Sequence, residues 1–216
     1  MKLSKTQIDR LGDRLRKDRL SDSDLKLLDD YRRSFGDAYE DVVRTIREHL
    51  KLDLTGRPAK STSSIVEKLR RESIRLSQVQ DIAGCRIVVL DLEEQERVVA
   101  SLRKIFIDAS VVDRRVHPSY GYRAVHVIPR VLGKLVEIQV RSPLQHLWAE
   151  FSETIADKID PMIKYGGGRA DFQKILKETS ELIEDFEIGE IKIMSSPGNF
   201  INLSEKTSMM KKTFII

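Results

Sequence analysis

Residues 134–142, "KLVEIQVRS", set Val136, Ile138 and Val140 against Glu137, Gln139 and Arg141 in strict alternation. A period of two marks a strand with one face buried. Its polar face then presents a carboxylate, an amide and a guanidinium in a row. Just upstream, "GYRAVHV" reads as a second strand. A hairpin centred on Val131–Leu132 sets His126 opposite Glu137, Ala124 opposite Gln139 and Tyr122 opposite Arg141, all on one face. A solvated outer face explains this hairpin about equally well. Such faces, however, are filled mostly with Lys, Glu and Thr, and this mixture looks more like a site.

Other groups can join it. In "DIAGCRIVV", Asp81 stands just before an apolar strand and Arg86 stands inside it. A charge in such a run is costly unless paired or facing a ligand. Asp81 and Glu137 together suit Mg²⁺, a hard ion that takes few protein carboxylates and completes its shell with water and phosphate. In "GRPAKSTSSIVEK", Arg57, Lys60, Ser64 and Lys68 gather around a helix N-terminus, where free N–H groups and cations suit polyphosphate. Taken alone, that stretch is more often a capped surface helix. His146 and Glu150 are spaced for a metal or, more commonly, for a solvated ion pair.

Several elements must position these groups. The spacing predicts a short helix over 4–18 and a long one over 21–50 with Ser21 as cap. Further helices are expected from "STSSIVEKLRRESIRL", from 91–106 with an Asp91/Glu94 capping box, from 143–158 and near 171–187. Ser142 would cap the fifth of these six, and its core stripe would be Leu144, Leu147, Trp148, Phe151 and Ile155. Strands are expected at "GCRIVVLDL" and "ASVVDRRV" besides the hairpin. The fold class is α+β, a mixed, largely antiparallel sheet flanked by helices. The expected organisation is N-terminal helices over 1–50, a core over 51–165, and a C-terminal helix and tail over 166–216.

The chain has 216 residues, 33% of them charged, and a formal net charge of +4, a balance that mildly favours phosphate-bearing partners. Cys85 is the sole cysteine, so an intrachain disulfide is excluded and a reducing, cytoplasmic setting is natural. No apolar run approaches the roughly 20 residues of a membrane span.

Five ordered motifs, "GRPAKSTSSIVEKL", "QDIAGCRIVV", "GYRAVHV", "VEIQVRS" and "QHLWAE", resemble the synthetase domain of the RelA/SpoT family over about residues 50–165. The resemblance implies a nucleotidyltransferase-like fold and an ATP-dependent, Mg²⁺-dependent pyrophosphokinase. An acceptor 3′-hydroxyl attacks the β-phosphate of ATP and AMP leaves. Asp81 and Glu137 would hold the Mg²⁺, with Glu137 also helping to deprotonate the hydroxyl. Arg57 and Arg86 would sandwich adenine, and Lys60, Ser64 and Lys68 would grip the triphosphate. Tyr122 would stack on the acceptor base, while His126, Gln139, Arg141 and His146 orient the acceptor. None of the four histidines is followed by Asp, so the His-Asp pair of the family's hydrolase half is absent and a single-domain synthetase is expected.

Two departures bear on the acceptor. "HPSYGYR" has no Lys or Arg between Arg115 and Gly121, and the Trp helix ends in "IADKID" where alarmone makers carry a Tyr-Lys pair. Both resemble the toxic small alarmone synthetases, several of which modify the 3′-CCA end of tRNA and are countered by an antitoxin. A tRNA acceptor is therefore the first expectation, GDP or GTP the second, and a non-catalytic RNA- or nucleotide-binding module the third. Arg10, Arg14, Arg16, Lys17 and Arg19 would meet a tRNA backbone. A solvated helix face explains those five equally well.

Overall fold

The computed structural model describes residues 3–17 and 21–194. Arg19 and the tail "NFINLSEKTSMMKKTFII" lie outside the described residues. The elements run α1 (Lys5–Arg16), α2 (Asp22–Arg33), α3 (Gly36–Leu50), β1 (Thr55–Arg57), α4 (Thr62–Arg71), β2 (Ala83–Val88), α5 (Leu92–Ile105), β3 (Ser110–Asp113), β4 (Val125–Ile128), β5 (Arg130–Val131), β6 (Lys134–Arg141), α6 (Pro143–Lys158) and α7 (Ala170–Met194). The sheet order is β1-β2-β6-β4-β3, with β5 pairing β6. Only β2–β6 is parallel; the other pairs are antiparallel. This is the mixed, largely antiparallel sheet expected.

Local chemistry sets the boundaries. Ser4, Ser21 and Ser142 each cap a helix by accepting a backbone N–H three residues on, and Pro143 opens α6 where its missing donor costs nothing. Asp91 caps α5, but Glu94 accepts from the N–H of Leu90, so the expected box closes one residue early. The long helix expected over 21–50 is two: α2 stops at Arg33 and α3 starts at Gly36. The Ser34 hydroxyl donates to the Tyr31 carbonyl, and the bend brings Tyr31 and Phe35 edge to face in the core. On α6 the stripe is turned by about one position. Leu144 and Trp148 are buried, but Leu147 and Phe151 face out, because α6 meets its neighbours through small Ala149, Ser152 and Ala156.

The hairpin register also differs from expectation. Its turn is Leu132–Gly133, both at positive φ (47° and 76°), the conformation of a type I′ turn, which glycine adopts freely. His126 therefore pairs with Gln139, and Val127 with Ile138. The slip is by two residues, so every side chain keeps its face. Apolar residues of β2, β4 and β6 face a core shared with α1 to α5; Ile87, Val127, Val136, Ile138 and Val140 are fully covered. Cys85 belongs to that core, and burial, with Glu137 nearby, pushes its thiol up to about 12. Trp148, Ala149, Ala156, Ile163 and Leu176 make a second cluster between α6 and α7. Among the described residues no helix is long and apolar enough to cross a membrane.

The edge strand β1 fits against β2 only because residue 56 has no side chain: a Cβ there would stand 2.6 Å from the Gly84 carbonyl oxygen and 2.7 Å from Cys85 Cα. Gly56→Ala should push β1 off the sheet and cost about 1–3 kcal/mol. A shift of the urea midpoint without change in slope would show it.

Candidate active site

The other face of the sheet carries the polar row. Registers place Arg57, Gly84 and Glu137 side by side, and next to them Thr55, Arg86, Gln139 and His126. Gly84 packs closely on the Glu137 backbone: a Cβ there would lie 2.8 Å from the Glu137 carbonyl oxygen. Residues from "GYR" and from α6 close the far side.

A ring of hydrogen bonds runs across this face. Gln139 Nε2 donates to Glu137 Oε2 at 2.7 Å, and His126 Nδ1 meets Glu137 Oε1 at 2.8 Å. His126 Nε2 meets the Tyr122 hydroxyl at 2.9 Å. Arg141 Nη2 donates to both the Tyr122 oxygen at 2.9 Å and Gln139 Oε1 at 2.7 Å. Burial pushes the Glu137 carboxyl up, but His126 and Gln139 outweigh it even against the nearby Asp81 charge, and it titrates below the ordinary range. Glu137 is thus an ionised carboxylate with little solvent.

At the other end, Asp81 sits in the loop before β2. Lys60 Nζ lies 2.6 Å and Lys68 Nζ 2.9 Å from its two oxygens. The Lys60 N–H donates to the Ile82 carbonyl, and Arg32 Nε donates to the Lys60 carbonyl, so this lysine is held at both backbone ends. Burial raises the Asp81 carboxyl, but the two ammonium groups prevail and hold it down at about 2. The hydroxyl and N–H of Ser64 are engaged with Ser61 in the cap of α4. Arg57 is exposed on β1.

A cationic corner completes the face. Arg86 Nη1 lies 3.5 Å from His146 Nδ1, and Glu150 Oε1 lies 3.4 Å from His146 Nε2. Burial, then the Arg141 charge, lowers the Arg86 pKa. Burial also lowers that of His146; Glu150 opposes it, and Arg86 and Arg141 add to it. Arg86 Nε, Arg141 Nε and Arg141 Nη1 are buried with no acceptor among the described residues. A buried donor without a partner costs about 1–3 kcal/mol.

Residues 56–159 match the family model described as "Region found in RelA / SpoT proteins". A GTP pyrophosphokinase of Bacillus subtilis (strain 168) is 32% identical over 174 residues, covering 69% of this chain and 78% of that protein. The chain belongs to the RelA/SpoT family. An uncharacterized protein of Mycobacterium tuberculosis is 44% identical over 111 residues, which cover 50% of this chain but only 41% of that relative. The RelA/SpoT likeness extends to structure. Small alarmone synthetase 1 of Bacillus subtilis, solved with its product pppGpp, superposes with TM-score 0.60 at 26% identity, over 83% of this chain and 100% of that one. A GTP pyrophosphokinase family protein of Streptococcus pneumoniae gives 0.57 at 25% identity, over 81% and 94%.

The expected site residues differ in engagement. Glu137, Gln139, Tyr122, His126 and Arg141 form one hydrogen-bonded group, Asp81, Lys60 and Lys68 a second, and Arg86 and His146 a third. Arg14 instead pairs with Asp24 at 2.7 Å, and Arg16 donates to the Leu69 and Ile74 carbonyls, so both are spent within the fold. Arg10 and Lys17 are exposed. Among the described residues no group of three or more His, Cys, Asp or Glu could hold a metal alone. Asp81 and Glu137 fit a hard cation only as an ionised pair whose remaining ligands are phosphate and water.

One group escaped the sequence reading. Arg123, buried between Tyr122 and Ala124, donates to the Ser180 hydroxyl, the Glu184 carboxylate at 2.7 Å and the Arg115 carbonyl. Glu187 accepts from Ser142 and Gln145. These bonds latch α7 to the back of the site. A guanidinium in an apolar stretch signals such a need, but its partners lie some sixty residues away.

The Asp81 pair has a pH signature. Its pKa is lowered from 3.8 to about 2, so its contribution is complete above 3.8 and is lost as pH falls through about 2. Asp81→Asn should be less stable at neutral pH by up to about 2 kcal/mol, with the gap closing toward pH 2. Urea midpoints measured against pH check this; a constant gap would deny the charge pairing.

Proposed function

We propose that this chain transfers the β,γ-pyrophosphate of ATP to the 3′-hydroxyl of a nucleotide acceptor and releases AMP. One observation carries the reading: Glu137 is kept charged, in register with Gly84 and near a carboxylate that gathers two lysines. Glu137 takes the proton as the 3′-oxygen bonds to the β-phosphorus of ATP and the bond to the bridging oxygen of the α-phosphate breaks. Lys60 and Lys68 hold the phosphates, and Arg57 and Arg86 flank adenine. Tyr122 meets the acceptor base, with His126 and His146 beside it. Arg86 and Arg141 lend this corner positive charge. Asp81 and Glu137 would hold Mg²⁺, which would supply charge neutralisation to the phosphates. Positioning and charge stabilisation supply most of the rate in such transfers.

GDP or GTP is the acceptor we favour. The Bacillus subtilis relative bears the name GTP pyrophosphokinase, and the similar solved structure holds pppGpp as its product. The engagement of Arg14 and Arg16 inside the fold also weakens the case for a tRNA-binding N-terminal helix. The 3′-CCA end of tRNA is the second reading, favoured by the missing cation in "HPSYGYR"; it would make the chain a translation-blocking toxin with an antitoxin partner.

ATP labelled at the γ-phosphate, incubated with the protein, Mg²⁺ and either GDP, GTP or bulk tRNA, separates the readings. Label in the guanosine nucleotide is the expected result; label in tRNA selects the second reading, and label in neither ends both. Glu137→Gln should cut transfer by at least about a hundredfold without loss of the folded state by circular dichroism. Unfolding of that variant would make the carboxylate structural.

A further inference from the structure

We infer that Arg141 is a positioning residue that sets the tautomer of His126 and, through it, keeps the Oε1 edge of Glu137 supplied with a hydrogen bond. The inference rests on Glu137 being the proton acceptor proposed above, and it concerns a residue whose side chain never touches Glu137.

The ring closes in one sense only. Arg141 has donors and no acceptor, so both Nη2 bonds are of fixed direction. Its donation to the Tyr122 oxygen leaves the phenol hydrogen to point at His126 Nε2, 2.9 Å away. Burial pushes the Tyr122 pKa up, with Arg141 pulling against it, so the phenol keeps that hydrogen. A neutral imidazole that accepts at Nε2 must carry its proton on Nδ1, and Nδ1 lies 2.8 Å from Glu137 Oε1. The second Nη2 bond engages Gln139 Oε1, which orients the amide so that its NH₂ faces Glu137 Oε2. One guanidinium therefore orients both donors that serve the carboxylate. In the opposite tautomer the bare Nδ1 lone pair would face the Glu137 oxygen, and the ring would break at that point. Arg141 is well suited to this work: it is 3% exposed, and its ring position follows from β6, where it stands two residues from Gln139.

The test uses the full chain labelled with ¹⁵N-histidine, the His126 signals being identified by their loss in His126→Gln. At fixed neutral pH the unaltered protein should show a protonated Nδ1 and a bare Nε2. Tyr122→Phe removes only the phenol donor and keeps the aromatic face; Arg141→Lys removes the planar fork. In both, the His126 nitrogens should move toward a mixture of tautomers. The turnover rate should fall roughly 10- to 100-fold, the effect of losing an orienting partner, while KM for ATP changes by less than about twofold. If Arg141→Lys fails to fold, Tyr122→Phe decides. The inference is overturned if the unaltered protein carries its proton on Nε2 or on both nitrogens, or if either folded variant leaves the tautomer unchanged. Absence of pyrophosphate transfer by the unaltered protein would refute the proposed function, and the nitrogen spectra would still decide the tautomer.

Discussion

Glu137 is charged although the sheet has stripped it of most of its water. A carboxylate in that position tends to pick up a proton, because burial penalises the ionised form. Here two hydrogen bonds, from His126 and Gln139, reverse the balance, and both donors are themselves held by Tyr122 and Arg141. The polar face is thus a closed network in which each member is oriented by the next. Partly satisfied polar networks are costly, whereas a complete one rigidifies the groups it contains. The ring is closed but not fully satisfied: Arg141 Nε and Nη1, with Arg86 Nε nearby, are buried with no acceptor among the described residues.

The rest of the fold serves to hold that face still. Below it, the apolar side of β2, β4 and β6 is sealed by a core that reaches from α1 to α5. At one end Lys60 and Lys68 converge on Asp81 from a loop and from α4, which concentrates positive charge where phosphates would lie. At the other end Arg123 and the Glu187 contacts tie α7 to "GYR" and to the start of α6. Trp148 Nε1 adds a bond to the Leu176 carbonyl.

Much of this was legible in the chain itself. Alternation in 134–141 marked β6 and its polar row, and serine caps with Pro143 marked helix starts, because both signals are local. Signals that depend on packing misled. Leu147 and Phe151 lie at good core spacing yet face outward, since small residues on the adjacent side of α6 allow closer packing. The helix over 21–50 breaks because the core draws Tyr31 and Phe35 together, which the apolar spacing of those residues does not reveal.

The sequence by itself determined the family, the strand carrying Glu137 and the face on which Glu137, Gln139 and Arg141 must lie, because a period of two is fixed by backbone geometry. It also supplied the candidates for phosphate binding. Only the tertiary structure decided which of them meet. It put His126 beside Gln139 in register yet left its imidazole on Glu137, gave Arg14 and Arg16 partners within the chain, and gave Arg123 its partners on α7. Those outcomes depend on turn geometry and on pairs far apart in the chain, and such contacts form only when the whole sheet and its covering helices are in place.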